Sequence, residues 1–173
     1  MIFLFIVILS AVITASAELS SIASLDISLV MSGEVWRIFT GHLTHLTWQQ
    51  YAFDAPVFLI VYLVYRRNTD GFSSIYLVIF SAIIVSATVV AMGIHQVYGG
   101  LSGLSYAAIS ALLLNMVIAA PRQILPYILV LALLVYLLCL QGYTTGINVA
   151  KEAHVAGTIS GLAFELVRRW LTH

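Results

Sequence analysis

The sequence predicts an all-α membrane protein, a single bundle of six transmembrane helices. Three observations carry that expectation. Of 173 residues, 62% are hydrophobic and only 8% are charged, whereas globular chains are roughly 45–50% apolar and about 25% charged. The apolar residues gather into six segments with mostly short polar connections between them. The arginines fall mainly on alternate connections, as they do in chains threaded back and forth across a bilayer. With a mean hydropathy of +1.07, lipid must be the solvent for much of the surface. The net charge of zero offers no basic face to nucleic acid. Cys139 is the single cysteine, so no intrachain disulfide can form.

The six segments are Ile2–Ala17, Gln50–Tyr65, Ser74–Met92, Leu101–Ala120, Ile124–Leu140 and His154–Leu171. Several approach the ~20 residues that a helix needs to cross the hydrocarbon. Inside lipid the backbone must bond to itself, so they are read as helices. The first also fits a signal peptide, with Ala15-Ser16-Ala17 as a small-residue cleavage site, although the usual basic start is missing. The one long connection, Glu18–Gln49, contains Trp36, His42, His45 and Trp48. It is too apolar for a loose linker and is expected to fold on or into the outer membrane surface. Within it, Asp26 and Glu34 read as solvated or capping groups, and Arg37 as a partner of Glu34 or a snorkelling side chain. Arg66, Arg67, Arg122, Arg168 and Arg169 share one side in a six-span topology, with Arg37 and Lys151 on the other. The positive-inside rule then places both termini in the cytoplasm. Trp48, Tyr65 and Trp170 near span ends read as interface anchors.

Polar groups at membrane depth are costly and therefore functional candidates. The fourth segment opens Gly100-Leu101-Ser102-Gly103, followed by Tyr106. A serine at a helix start faces free N–H groups and the positive end of the dipole, which suits an oxyanion formed by its attack. Gly103, Ala107 and Ala111 give this helix one face of small side chains, and Ala153, Gly157 and Gly161 give the sixth a matching face. Such faces let membrane helices pack backbone to backbone. If they meet, Ser102 and His154 become neighbours, as a serine nucleophile and its histidine base must be. Taken singly, each feature has a bland reading: Ser and Gly are routine at helix contacts, and a histidine at a helix start is commonly an interfacial anchor. Their joint occurrence is what carries the expectation.

At these residues the chain resembles the rhomboid family of intramembrane serine proteases. Gly100-Leu101-Ser102-Gly103 looks like the family's nucleophile motif, and Tyr106 like the tyrosine that packs on its histidine. Ala153-His154-Val155-Ala156-Gly157-Thr158-Ile159-Ser160-Gly161 resembles the histidine motif of the sixth helix. Trp36-Arg37 resembles the first-loop signature, and His45 a histidine that follows it. The resemblance implies that Ser102 and His154 form a catalytic dyad, with Gly100, Gly103 and Tyr106 in support. It implies a transmembrane segment of a protein substrate as partner, entering between the second and fifth spans from the surrounding lipid, with no metal or organic cofactor. One motif departs. The family's second helix carries His-x-x-x-Asn, which helps hold the oxyanion, where this chain has Gln50-Tyr51-Ala52-Phe53-Asp54. Gln50 can still donate; Asp54 is expected either to donate as a neutral acid or to pair, ionised, with His154 or Gln50. The small size resembles the rhombosortase branch, which implies processing of C-terminal Gly-Gly-type sorting tails of exported proteins in a bacterial inner membrane. Two other readings remain open: an inactive homologue that binds membrane helices, and a small transporter in which Asp54 and His154 relay protons.

Overall fold

The computed structural model describes residues 1–119, 125, 128, 132, 135–136 and 150–172. Apart from those few positions, the expected fifth span at 124–140 lies outside the described residues, as does 141–149. The described chain is mostly helical. Helix α1 spans Ile2–Ala15 and α2 spans Ala17–Ala23, with a bend of 116° between them. Ser16 makes that corner, accepting from the Leu19 amide as the N-cap of α2. The expected first span thus stops two residues early, at the cap.

The long connection folds into small elements. Strand β1 is Leu25–Asp26, α3 is Ile27–Met31, α4 is Arg37–Thr40, and a 3-10 turn covers Gly41–Leu43. Asp26 caps α3, accepting from the Ser28 and Leu29 amides. Arg37 is buried, so it does not snorkel. Its guanidinium donates to Glu34 Oε2 at 2.7 Å and to the carbonyls of Ser21 and Ser24 at 2.8 and 2.7 Å. A fork of five donors in a fixed plane can tie an α2 carbonyl to the start of α4 in this way.

Three long helices follow in this order: α5 Trp48–Asn68, α6 Gly71–Met92 and α7 Ser102–Ala119. The last, α8, is Lys151–Thr172. Strand β2, Val97–Tyr98, precedes α7 and pairs antiparallel with β1, Leu25 opposite Tyr98. By length and composition α6 and α7 can cross a membrane, and α1 with α2 forms a third, bent candidate. Helices α5 and α8 are as long but carry Gln50, Asp54, Glu165 and other polar residues, several of them buried. Those groups face protein rather than lipid, as intramembrane ionisable residues do.

The packing is that of a protein in lipid. Ser10, Ser74, Ser81, Ser86, Ser105 and Ser160 are buried, while Phe72, Tyr76, Ile79 and Ile83 of α6 are exposed. Without a hydrophobic drive between helices, small residues and hydrogen bonds hold them together. The small faces of α7 and α8 do meet. A β-carbon at Gly157 would land on the Gly103 carbonyl oxygen, and one at Gly161 on the Ala107 carbonyl oxygen. Core side chains Phe3, Phe58 and Tyr62 close the other flank of α7's neighbour α5, with Phe3 stacked on Tyr62 at 5.0 Å.

Tyr65 is fully buried, not an interface anchor, because its hydroxyl donates to Glu165 Oε2 at 2.7 Å. Glu165 also accepts from Asn115 Nδ2 at 2.8 Å, Arg168 Nη2 at 2.6 Å and Arg169 Nε at 2.9 Å. Arg169 Nη2 completes the cluster on the Asn115 carbonyl at 3.0 Å. One end of α5, α7 and α8 is thereby pinned together.

Candidate active site

The opposite end of the same three helices holds the residues singled out by chemistry. Helix α8 begins at Lys151, three residues before the expected start, so His154 sits within its first turn. Glu152 in that turn suits the positive end of the helix dipole. Close contact of the two small faces brings His154 Nε2 to 3.0 Å from Ser102 Oγ, the first residue of α7. Tyr106, one turn further along α7, stacks on the imidazole with centroids 4.3 Å apart and planes 21° apart. The stack fixes the ring's plane, and so the direction of Nε2.

The turn before Ser102 is tightly braced. Gly100 has φ +137°, a conformation other residues rarely adopt. A β-carbon there would also sit 2.7 Å from Gln50 Nε2 and 3.0 Å from Asp54 Oδ2. Gly99 packs against Thr44 so closely that a β-carbon would collide with its hydroxyl. Gln50 Nε2 donates to the Gly99 carbonyl at 2.9 Å, and Gln50 Oε1 accepts from the Leu46 amide at 2.9 Å. Gln50 therefore cross-links the start of α5 to the turn that presents Ser102. The β1–β2 pairing and the bond from the Ile27 amide to the Gln96 carbonyl anchor the same segment to the first connection.

His42, which the sequence marks but gives no role, lies under this turn. Its Nε2 contacts the Ala82 carbonyl at 3.2 Å and Ser86 Oγ at 3.0 Å, and its ring meets Tyr98 edge-on at 5.6 Å. Ser86 spends its own proton on the Ile38 carbonyl at 2.7 Å, so the imidazole donates through Nε2. Burial pushes this histidine down to about 4, which keeps it neutral.

Asp54 is fully buried beside the Gly100 turn. Its neighbour is His45, whose Nε2 lies 3.3 Å from Asp54 Oδ2. That separation suits an ion pair but misses hydrogen-bond geometry, so His45 Nε2 and both Asp54 oxygens have no hydrogen-bond partner among the described residues. Sequence spacing gives no hint of this pair, since a nine-residue separation across a turn follows no helical period.

A buried serine and a half-buried histidine within hydrogen-bond reach, on two helix starts, can perform nucleophilic attack at a carbonyl. The first-turn amides of α7 have no acceptor within their own helix, so they are available to an anion. Residues 32–170 match the rhomboid domain family model. The chain belongs to the rhomboid family. Among curated proteins, none matches the chain. Rhomboid proteins are integral membrane proteins; the family comprises intramembrane serine proteases that act on transmembrane substrates, together with inactive members. Membership accounts for the expected fold class at the level of a helical rhomboid membrane domain.

Proposed function

We propose that this rhomboid is an active intramembrane serine endopeptidase with Ser102 as nucleophile and His154 as base. The observation that carries the reading is the 3.0 Å approach of His154 Nε2 to Ser102 Oγ. Ser102 Oγ attacks a peptide carbonyl of a membrane-anchored substrate while His154 takes its proton. The Ser102 amide at the start of α7 stabilises the oxyanion, and Gln50 supports it by fixing the Gly99–Gly100 turn. His154 then protonates the leaving amine, and water hydrolyses the acyl-enzyme. The substrate's transmembrane segment reaches the serine sideways from the lipid. Given six spans, the arginine asymmetry places both termini in the cytoplasm, and the resemblance to rhombosortases implies a bacterial inner membrane. Gly-Gly-type sorting tails of exported proteins are the substrates of that branch, and acyl transfer to an amine acceptor is the variant outcome.

A fluorophosphonate probe tests the chemistry on detergent-solubilised protein. Wild type should label at Ser102, Ser102→Ala should not, and Ser105→Ala should label normally. Ser105 Oγ is buried and donates to the Leu101 carbonyl at 3.1 Å, so it is a helix-wall serine. Equal labelling of Ser102→Ala, or no labelling of a folded wild type, removes the protease reading. The second result would favour an inactive homologue that binds membrane helices, the reading motivated by an acid at Asp54.

A further inference from the structure

Asp54 stands where the family pattern has a neutral amide, and its surroundings constrain its charge. A carboxylate beside Gly100 would oppose an oxyanion formed at Ser102. The constraint comes from a chain of contacts reaching back to α1. Ser10 Oγ donates to the Leu43 carbonyl at 2.7 Å. A hydroxyl has one proton, so toward His45 Nδ1, 3.2 Å away, Ser10 Oγ must accept. Thr14 Oγ1, at 3.5 Å, is the more distant contact of the same nitrogen. Nδ1 therefore carries a proton. Nε2 then either bears a second proton or presents a lone pair to Asp54 Oδ2 at 3.3 Å. Two lone pairs face to face in a sealed site repel, so one of the two groups carries a further proton. It resides on His45, giving an imidazolium and a carboxylate, or on Asp54, giving two neutral groups. Either way the pair has no net charge.

We infer that His45 is a positioning residue that, by sharing one proton with Asp54, holds the carboxyl beside Gly100 as part of a neutral unit and so makes an acid compatible with an oxyanion at Ser102. The inference rests on the serine-protease reading above. Among the described residues, other titratable groups near the pair are few. Tyr51 on α5 meets the His45 ring edge-on at 5.3 Å. Tyr98 before α7 and His154 on α8 lie within electrostatic reach of Asp54 and of Glu152. Tyr106 is the titratable group of α7, through its stack on His154. Helix α1 contributes only the hydroxyls of Ser10 and Thr14. Of these groups His45 is the base placed to neutralise Asp54.

The test is a two-by-two set on the full chain in detergent, comparing wild type, Asp54→Asn, His45→Gln and the double variant. Fluorophosphonate labelling rates are read from pH 6 to 9, with an unfolding midpoint for each. Asp54→Asn should label within about threefold of wild type, because the amide is a neutral group of nearly the same shape as a carboxyl whose charge is cancelled. His45→Gln keeps a neutral donor but cannot carry the charge, so its labelling should fall by about tenfold or more at the alkaline end of that range. The double variant should recover to within about threefold of Asp54→Asn and lose that pH dependence. A purely structural role for His45 predicts no such rescue. A flat pH profile in His45→Gln, or a double variant as poor as His45→Gln, overturns the inference. Should His45→Gln not fold, rescue of folding by Asp54→Asn supports the pairing and its absence overturns it. If wild type fails to label, the protease reading falls by itself, and rescue in the unfolding midpoints decides the proton-sharing pair separately.

Discussion

The two ends of this bundle are built from the same three helices and differ in one respect, namely whether their buried polar groups are satisfied. At one end Tyr65 of α5, Asn115 of α7 and Glu165 of α8 join Arg168 and Arg169 in a cluster in which both carboxylate oxygens are multiply bonded. At the other end Asp54 of α5, Ser102 of α7 and His154 of α8 lie among groups that lack hydrogen bonds, including His42 Nδ1, His45 Nε2, both Asp54 oxygens and Glu152 Oε1 among the described residues. A buried polar group without a partner costs roughly 1–3 kcal/mol. A fold that satisfies one end and leaves the other short fastens its helices at the first and, on the proposed reading, keeps the second for chemistry. The contrast separates stability from reactivity by about 20 Å along α7, the rise of the 13 residues from Ser102 to Asn115.

The largest expected effect lies at the unsatisfied end. His154→Gln should lower fluorophosphonate labelling of Ser102 by about 10³-fold or more, as removal of a nucleophile's base does in serine hydrolases. Its unfolding midpoint should stay close to wild type, because the glutamine keeps a polar head near Ser102. Wild-type labelling in this variant would break the distinction drawn between the two ends.

The mirror experiment is at the fastener. Glu165→Ala leaves Tyr65, Asn115 and two arginines without their acceptor, and should cost about 3–5 kcal/mol of stability, the loss typical of a broken buried ion pair. The labelling rate per folded molecule should not change. A large loss of labelling without a loss of stability would show that the cluster communicates with the serine and is more than a fastener.

How much of this was legible in the sequence depended on periodicity. Gly103, Ala107 and Ala111 on α7, with Ala153, Gly157 and Gly161 on α8, were readable as mating faces because glycine and alanine at every fourth position have one physical use in lipid. From that pairing the neighbourhood of Ser102 and His154 followed. The same two series continue, to Asn115 on α7 and Glu165 on α8, and those residues are bonded to each other at 2.8 Å. The signal for the fastener was therefore present but obscured. Glu165 sits beside Arg168 and Arg169, and the arginines count in the sequence only as markers of orientation. Tyr65 was misread for the same reason, since a tyrosine at a span end is normally an anchor. The His45–Asp54 contact has no such signal, because the turn that joins them is held through Thr44 and Gln50 by Gly99, from a distant part of the chain.

The mating faces yield a prediction that sharpens the boundary between the ends. Gly157 lies on the Gly103 carbonyl, close to the reacting pair, and backbone cannot move aside as a flexible side chain can. Gly157→Leu must push α8 away from α7, and a displacement of about 1 Å can cost about 10²-fold in rate. Labelling should fall by that order while the Glu165 cluster, two turns away, keeps the helices associated. Unchanged labelling would mean that the Ser102–His154 distance is set elsewhere.

The smallest effect concerns His42, which supports the turn before Ser102 without touching the reacting atoms. Its imidazole is sealed between α6 and Tyr98, and burial holds it down to about 4, against an ordinary value of 6.5. In the unfolded chain the histidine takes up a proton below pH 6.5, whereas in the folded chain it resists until about 4. Folded protein therefore binds fewer protons across that interval. Stability conferred by the neutral ring is complete above pH 6.5 and is lost as pH falls toward 4. The loss should reach about 1.4 kcal/mol near pH 5.5, one unit below the unfolded value. His42→Gln has no proton to gain and should remove this part of the acid sensitivity, though it will lower stability at neutral pH by disturbing the contacts with Ala82 and Ser86. Unfolding midpoints of both proteins between pH 7.5 and 5 provide the comparison. Parallel curves would show that His42 does not titrate in this window and that some other group at the unsatisfied end controls its response to acid.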